Sequence, residues 1–392
     1  MSTTREGIIL SDRQRFHWLR LIRSQNVGPQ TFRQLIRRYA SAEAALEALP
    51  ELARKGGRRQ IRVAGVDEVE RELAYAAKGG FRLVCIGEPD YPQLLRQIDG
   101  PPPLICIKGN ASILNRAAVG IVGSRNASAL GLRMTADFAS ELGKAGFAIV
   151  SGFARGIDSS AHRASLSTGT IAVMAGGADH IYPPENDKLY AELLDRNGVF
   201  ISEMPLGWTP RSQDFPRRNR LIAGLGHGVL VVEAAQRSGS LITARYAADA
   251  GRLVFAIPGS PRDARARGPN SLIKNGAALV DCSADIIEAL TPLAPHLPAQ
   301  ADLFAAQGNN CQEKPAEIIL SPTVDTPATG HDLDEAERKR VLHALSPTPV
   351  DLETLSAAVE VPVSKLYLAL MELDLAGRLV RHNGGFISLL PE

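Results

Sequence analysis

The sequence predicts an α/β protein: a doubly wound, mainly parallel sheet with a helical module before it and a winged helix after it. Three observations carry this. Fully apolar runs at 119–122, 148–150, 171–174, 199–201, 229–232, 253–257 and 279–280 are mostly followed by glycine-containing loops and then by helical periodicity. Continuous apolar strands alternating with helices imply a parallel sheet covered on both faces. Residues 11–78 instead read as short amphipathic helices, and residues 331–392 as three helices closed by a hairpin.

In the first module (1–80), Phe16, Leu19, Leu21 and Ile22 fall on one side of a helix, and Phe32, Leu35, Ile36 and Tyr39 on one side of the next. Asn26-Val27-Gly28-Pro29 turns between them, which resembles a helix-hairpin-helix or sterile-alpha-motif (SAM)-like unit. Such a turn can offer backbone amides to a DNA phosphate; an ordinary packing domain with a glycine turn fits the pattern as well. Residues 81–118 carry a short strand and Gly100-Pro101-Pro102-Pro103, and read as an extra layer against the edge of the central domain (81–290). Residues 291–330, proline-rich among alanine and polar residues, read as a flexible linker.

In the last module (331–392), helices begin near Asp334, Asp351 and Pro362-Val363-Ser364, and Asn383-Gly384-Gly385 marks a hairpin turn. A winged helix usually reads DNA through its third helix. Here that helix (about 364–376) has one Lys, one Glu and one Asp, and the module holds 6 Lys/Arg against 10 Asp/Glu. Phosphate neutralisation needs clustered cations, so the composition favours a protein contact over strong DNA binding.

At 392 residues and 45% hydrophobic, the chain has material for two or three domains. Its net charge of +2 hides a basic front, with 15 Lys/Arg against 9 Asp/Glu in residues 1–80, that offsets the acidic tail. Cys85, Cys106, Cys282 and Cys311 are scattered and fit neither a zinc site nor a disulfide framework. No signal-peptide profile or apolar run of membrane-spanning length appears, so a soluble cytoplasmic protein without a membrane partner is expected.

The rim of the predicted sheet carries the chemistry. In parallel sheets ligands sit beyond the carboxyl ends of the strands. The loops there read Gly123-Ser124-Arg125, SGFARGID (151–158), AGGADH (175–180), SEMPLG (202–207), RSGS (237–240) and PGSPRD (258–263). Strand, small-residue loop and helix N-terminus leave backbone N–H groups free to hold a phosphate, as at Ser238-Gly239-Ser240. The segment around Gly123 lacks the G-x-G-x-x-G spacing of a dinucleotide site, and its Arg125 favours phosphate. Gly152 and Arg155 belong to the neighbouring loop.

Asp158 can cap the following helix with His162 at i+4 on the same face; this pair reads as loop support rather than as an acid–base couple, because no third partner lies near. Phe215-Pro216-Arg217-Arg218-Asn219-Arg220, with Trp208 upstream, is the strongest nucleic-acid signal. Arginine forks grip phosphates, and an exposed Phe stacks a base. The competing reading makes Phe215 core and pairs the arginines with Asp214 or Glu233. No P-loop, H-E-x-x-H or G-x-S-x-G motif is found, so no catalytic residue, metal or cofactor is assigned.

In order, YPQLLRQIDGPPPLICIKG, AVGIVGSR, SGFARGIDSSAHRAS, YPPEN, SEMP, FPRRNRLIAGL, VLVVEA, SGSLITA and VFAIPGS resemble the DNA-processing protein A (DprA/Smf) family over about 81–290. The resemblance implies an extended Rossmann-like domain that dimerises and binds single-stranded DNA without sequence preference. It also implies loading of the RecA recombinase onto incoming DNA in natural transformation, against single-strand-binding protein. By motif, Gly123, Ser124 and Arg125 would hold phosphates. Phe215, Arg217, Asn219 and Arg220 would line the same groove, and Ser238, Gly239 and Ser240 would complete it. Gly226, where the family commonly has serine, and Ala175-Gly176-Gly177, in place of Gly-x-Gly, depart from the pattern. The competing reading is an enzyme of phosphoribohydrolase type on a similar fold, disfavoured because Pro258-Gly259-Ser260 lacks the Gly-Thr and glutamate that should follow. A dehydrogenase is disfavoured by the missing dinucleotide spacing.

Overall fold

A computed structural model of the chain describes residues 10–294, 333–382 and 385–390. The linker reading for 295–330, Cys311, and Asn383-Gly384 of the hairpin turn lie outside the described residues.

Four helices come first: α1 (Asp12–Arg23), α2 (Pro29–Tyr39), α3 (Ala42–Lys55) and α4 (Val66–Gly79). A nine-stranded sheet follows, with β1 (Arg82–Cys85), β2 (Leu104–Gly109), β3 (Ala118–Val122), β4 (Ala148–Ser151), β5 (Thr170–Val173), β6 (Gly198–Ser202), β7 (Gly228–Val231), β8 (Leu253–Ala256) and β9 (Ala278–Leu279). Its helices are α5 (Ala129–Lys144), α6 (Ile157–Ser165), α7 (Asp187–Asp195), α8 (Asp214–Leu225), α9 (Gly239–Asp249), α10 (Arg267–Lys274) and α11 (Ser283–Leu290). Helices α12 (Glu335–Ala344), α13 (Leu352–Val359) and α14 (Val363–Ala376) and the antiparallel pair β10 (Leu379–Arg381) and β11 (Ile387–Leu389) close the chain.

Of the described residues, Leu10 and 71–294 form one compact unit around the sheet, and 11–70 together with 333–382 and 385–390 form the other. In the first, the strand order is β1-β2-β6-β5-β4-β3-β7-β8-β9. Strands β3 to β9 run parallel wherever they pair with one another, and β1/β2 and β2/β6 are antiparallel. The chain winds outward from β3 through β4, β5 and β6, then restarts on its other side at β7, so β3/β7 is the topological switch point where such sheets bind ligands.

Alternation along β3 explains the two layers. Ala118 and Val122 face a core with Leu221 and Ile222 of α8 and Ala244 and Ala247 of α9. Val119 and Ile121 face another with Phe138 and Leu142 of α5, Ile157 and Ala161 of α6, and Ile286 of α11. The extra layer read for 81–118 is corrected: β1 and β2 extend the sheet beyond β6, with Cys106 opposite Ser202. The run LICIKG is buried along most of its length because it sits inside the sheet and not at its border.

In the second unit the first and last modules share one core. Leu21, Phe32, Leu35, Leu46 and Leu49 pack in the same cluster as Leu366, Leu370, Leu373 and Leu375. Every residue of α14 from Leu368 to Leu373 is buried, including Glu372, whose carboxylate takes the Arg338 guanidinium at 2.8 Å. The turn before α2 joins this packing: Asn26 Nδ2 donates to the Leu375 carbonyl at 2.9 Å, and Thr31 Oγ1 donates to Asp374 at 3.1 Å. These contacts tie the side chains of that turn into the unit's own packing. Among the described residues, no single helix is long and apolar enough to cross a membrane.

Candidate nucleic-acid interface

The loops after β3, β4 and β5 and the first turn of α8 enclose a cavity of about 220 Å³ at the carboxyl edge of the sheet. Its lining brings together Arg125, Gly152, Arg155, Phe215 and Arg218, with Gly176, Tyr182 and Glu185. The Arg125 guanidinium lies 5.1 Å from the centre of the Phe215 ring, and the Tyr182 ring lies 5.6 Å from it on a tilted plane. Tyr182 is 43% exposed and is followed directly by Pro183 and Pro184. It was absent from the sequence-derived site, although YPPEN placed an aromatic beside prolines on the same rim.

Helix α8 sorts its own arginines. At 100° per residue, Phe215, Arg218 and Asn219 (i, i+3, i+4) share one face, and Arg217 and Arg220 (i, i+3) share another. The first face turns inward. Arg218 is 6% exposed and donates through Nη1 to the carbonyls of Gly152 and of Val173, the latter at 2.6 Å. Burial pushes its pKa down to about 10, opposed by Asp158 and aided by Arg125, so it stays charged at neutral pH. Asn219 accepts from Arg218 Nε at 3.2 Å and donates to the Gly239 carbonyl at 3.1 Å, tying the cavity to the N-terminus of α9.

The second face meets Glu203, whose side chain is 4% exposed. Arg217 Nε donates to its carboxylate at 2.9 Å; Arg220 also pairs with it and donates to the Gly100 carbonyl at 2.7 Å. This corrects the expectation that Arg217, Arg218 and Arg220 all reach toward phosphate. Arg218 serves the floor, Arg220 is 16% exposed and engaged twice, and Arg217 is tethered but 44% exposed. The partner is neither Asp214 nor Glu233. Asp214 accepts from Trp208 Nε1 (2.9 Å) and from the Arg211 amide (2.8 Å), and Glu233 accepts from the Ser128 amide (2.9 Å). Arg211 in turn lies 4.6 Å over the Trp208 ring.

The remaining predicted residues frame the cavity without lining it. Gly123 allows close approach: a Cβ there would meet Ile157 Cγ1 at 2.6 Å. Ser124 supports its loop, its hydroxyl accepting from the Asn126 amide at 3.1 Å and its carbonyl from Ile157 N at 3.2 Å. Ser238 caps α9 by accepting from Ser240 N at 3.4 Å, and the exposed Gly239 between them has open space at its Cβ position.

Beneath the cavity, Asp158 and His162 are buried supports. Gly156, not Asp158, is the N-cap of α6; Asp158 accepts from the Ala154 amide at 3.3 Å and closes the loop. Burial raises the Asp158 pKa against the pull of Arg218. His162 Nδ1 meets Thr170 Oγ1 at 2.7 Å, and burial first, then Arg218 and Arg163, push its pKa down from 6.5 to about 3. The fold therefore holds His162 neutral while the unfolded chain takes up a proton, so the stability it contributes above pH 6.5 is lost as pH falls toward 3. His162→Gln is expected to remove this term. In acid, wild type should lose up to about 1.4 kcal/mol per pH unit more than the variant, read from urea midpoints across that window. Asp158 has the opposite sign, its raised pKa favouring the fold at lower pH, and it cancels because both proteins keep it.

Comparison with known proteins places this geometry in a family. The family model for DNA recombination-mediator protein A matches residues 82–291. A DprA-like N-terminal HHH domain matches 12–75, and a DprA winged helix domain matches 324–385. The chain belongs to the DNA recombination-mediator protein A (DprA/Smf) family. Protein Smf of Synechocystis is 32% identical, over 96% of this chain and 98% of its own length. The DNA processing protein DprA of Bacillus subtilis is 38% identical over 65% of this chain and 90% of its own. Among solved structures, DprA of Streptococcus pneumoniae aligns with a TM-score of 0.58 at 32% identity, covering 72% of this chain and 98% of that one. The DprA of Helicobacter pylori, described for its single-stranded DNA binding mode, aligns at 0.50 and 28% identity, covering 55% and 97%.

Proposed function

We propose that this DprA-family protein is a non-enzymatic recombination mediator that binds single-stranded DNA at the carboxyl edge of its sheet. The observation that carries this is the cation–ring–ring cluster of Arg125, Phe215 and Tyr182 above the fixed charge of Arg218. A stacking platform with a phosphate-facing guanidinium fits a splayed strand and not a stacked duplex. Two nearby carboxylates, Asp158 and Asp214, are engaged by the protein's own amides and indole, which favours binding over the phosphoribohydrolase reading. In this reading the cytoplasmic protein protects incoming strands as a homodimer. It hands them to a RecA recombinase in competition with single-strand-binding protein.

Titration of labelled oligo-dT and its duplex at several salt concentrations tests the binding step. Single strands should bind more tightly, and Arg125→Ala should reduce the slope of log affinity against log salt by about 0.7–1. Equal affinity for both forms, or free base released from AMP, would sink the proposal. The loading step predicts faster RecA filament assembly on strands already covered by single-strand-binding protein.

A further inference from the structure

Next to that rim, helices α5 and α6 leave a second, open groove of about 520 Å³ between them. Its floor is aliphatic, from Leu132 and Ala136 of α5 and Ala164 of α6, with Ser159, Ser160 and Arg163 along one wall. Ser160 Oγ donates to the Leu132 carbonyl at 2.9 Å, so the two helices are fastened to each other beside the groove. Leu132 remains 37% exposed, an apolar side chain that the described residues cover only in part.

The charge around this floor is one-sided. Arg163 lines it, Arg133 follows Leu132 on α5, and Arg155, which lines the rim cavity, precedes Gly156 of the groove lining. All three are exposed, and none of them is in an ion pair among the described residues. Along 129–140 and 155–165 the acids are Asp137, which is exposed, and Asp158, which is buried.

We propose that this groove docks an acidic peptide segment of a partner protein, with one aliphatic or aromatic side chain seated on Leu132 and Ala136 and carboxylates held by the surrounding arginines. Arginine clusters recognise acidic motifs through charge-assisted forks, and a small uncovered aliphatic floor supplies the anchor. Nucleic acid fits less well. Among the described residues no aromatic ring lines the groove, so a base would find nothing to stack on, unlike the cavity built around Phe215 and Tyr182. The proposal does not depend on the DNA-binding reading.

Selection of a displayed random dodecapeptide library on the full-length protein tests it, with fluorescence anisotropy of the recovered peptides. Recovered sequences should combine several Asp or Glu with a Leu, Ile, Met or Phe. Leu132→Ser should weaken them about tenfold or more, the loss of one seated apolar contact, and Arg163→Ser should weaken them and flatten their salt dependence. Oligo-dT affinity should stay unchanged in both. If either variant loses its wild-type melting profile, Ala136→Gln, which fills the floor without altering charge, serves instead and should also block the peptides. Recovery of neutral or basic sequences, no recovery, or equal binding by wild type and variants would overturn the proposal. So would competition by oligo-dT together with weakened oligo-dT binding in the variants, which would make the groove part of a nucleic-acid track.

Discussion

Replacing Phe215 with alanine is expected to weaken oligo-dT binding by about 5- to 150-fold, the loss of one base stack at ~1–3 kcal/mol. The ring is half-buried at the start of α8, under Arg125 and beside Tyr182, so the substitution removes a platform while the helix keeps its inward contacts. Phe215→Trp should restore most of the affinity, since any flat ring serves, whereas Phe215→Leu should not. Unchanged binding by Phe215→Ala, with folding intact by circular dichroism, would remove stacking from the mechanism and leave phosphate contacts alone.

Arg218→Met should cost the sheet unit about 3–5 kcal/mol of stability. The substitution strips two buried carbonyls, those of Gly152 and Val173, of a charged donor and leaves Asp158 without its nearby cation. Arg218→Lys should recover only part, because a single ammonium does not reproduce the planar fork. The two tryptophans make the measurement local: Trp208 lies in the sheet unit and Trp18 packs on Phe32 in the other. In a Trp18→Phe background, urea unfolding followed by Trp208 fluorescence reports the sheet unit. A wild-type midpoint with lost oligo-dT binding would make Arg218 a direct ligand of the strand instead of the floor beneath it.

Much of the architecture could be read from residues alone, because buried parallel strands write themselves as unbroken apolar runs. The same runs located β3 to β9 and hence the rim. Strand β2 escaped notice because three prolines precede it and Lys108-Gly109 end it, so it looks like an edge segment, while its burial comes from β1 and β6 on either side. The rim loops were legible, but the direction of each arginine was not. The sequence offers Asp214 and Glu233 as partners for these arginines, yet the acid that binds Arg217 and Arg220 is Glu203, on the loop after β6, in a SEMP motif with no charge role assigned from sequence. Tyr182 was missed for a similar reason: its place beside Phe215 depends on how two distant loops meet. The common core of the first and last modules left no trace in periodicity, since each module's pattern is satisfied equally by packing on itself.

That common core has a consequence during synthesis. Leu21, Phe32 and Leu46 wait for Leu366, Leu370 and Leu373 before their cluster can be complete. At elongation rates of about 5–20 residues per second, the interval between the two groups is roughly 16–70 s. Over that time the sheet unit can emerge and fold while the opening helices hold an unfinished apolar surface. Helices α1 to α3 therefore reach their final state only with α14, and a nascent chain halted before α14 is where chaperone capture should be greatest.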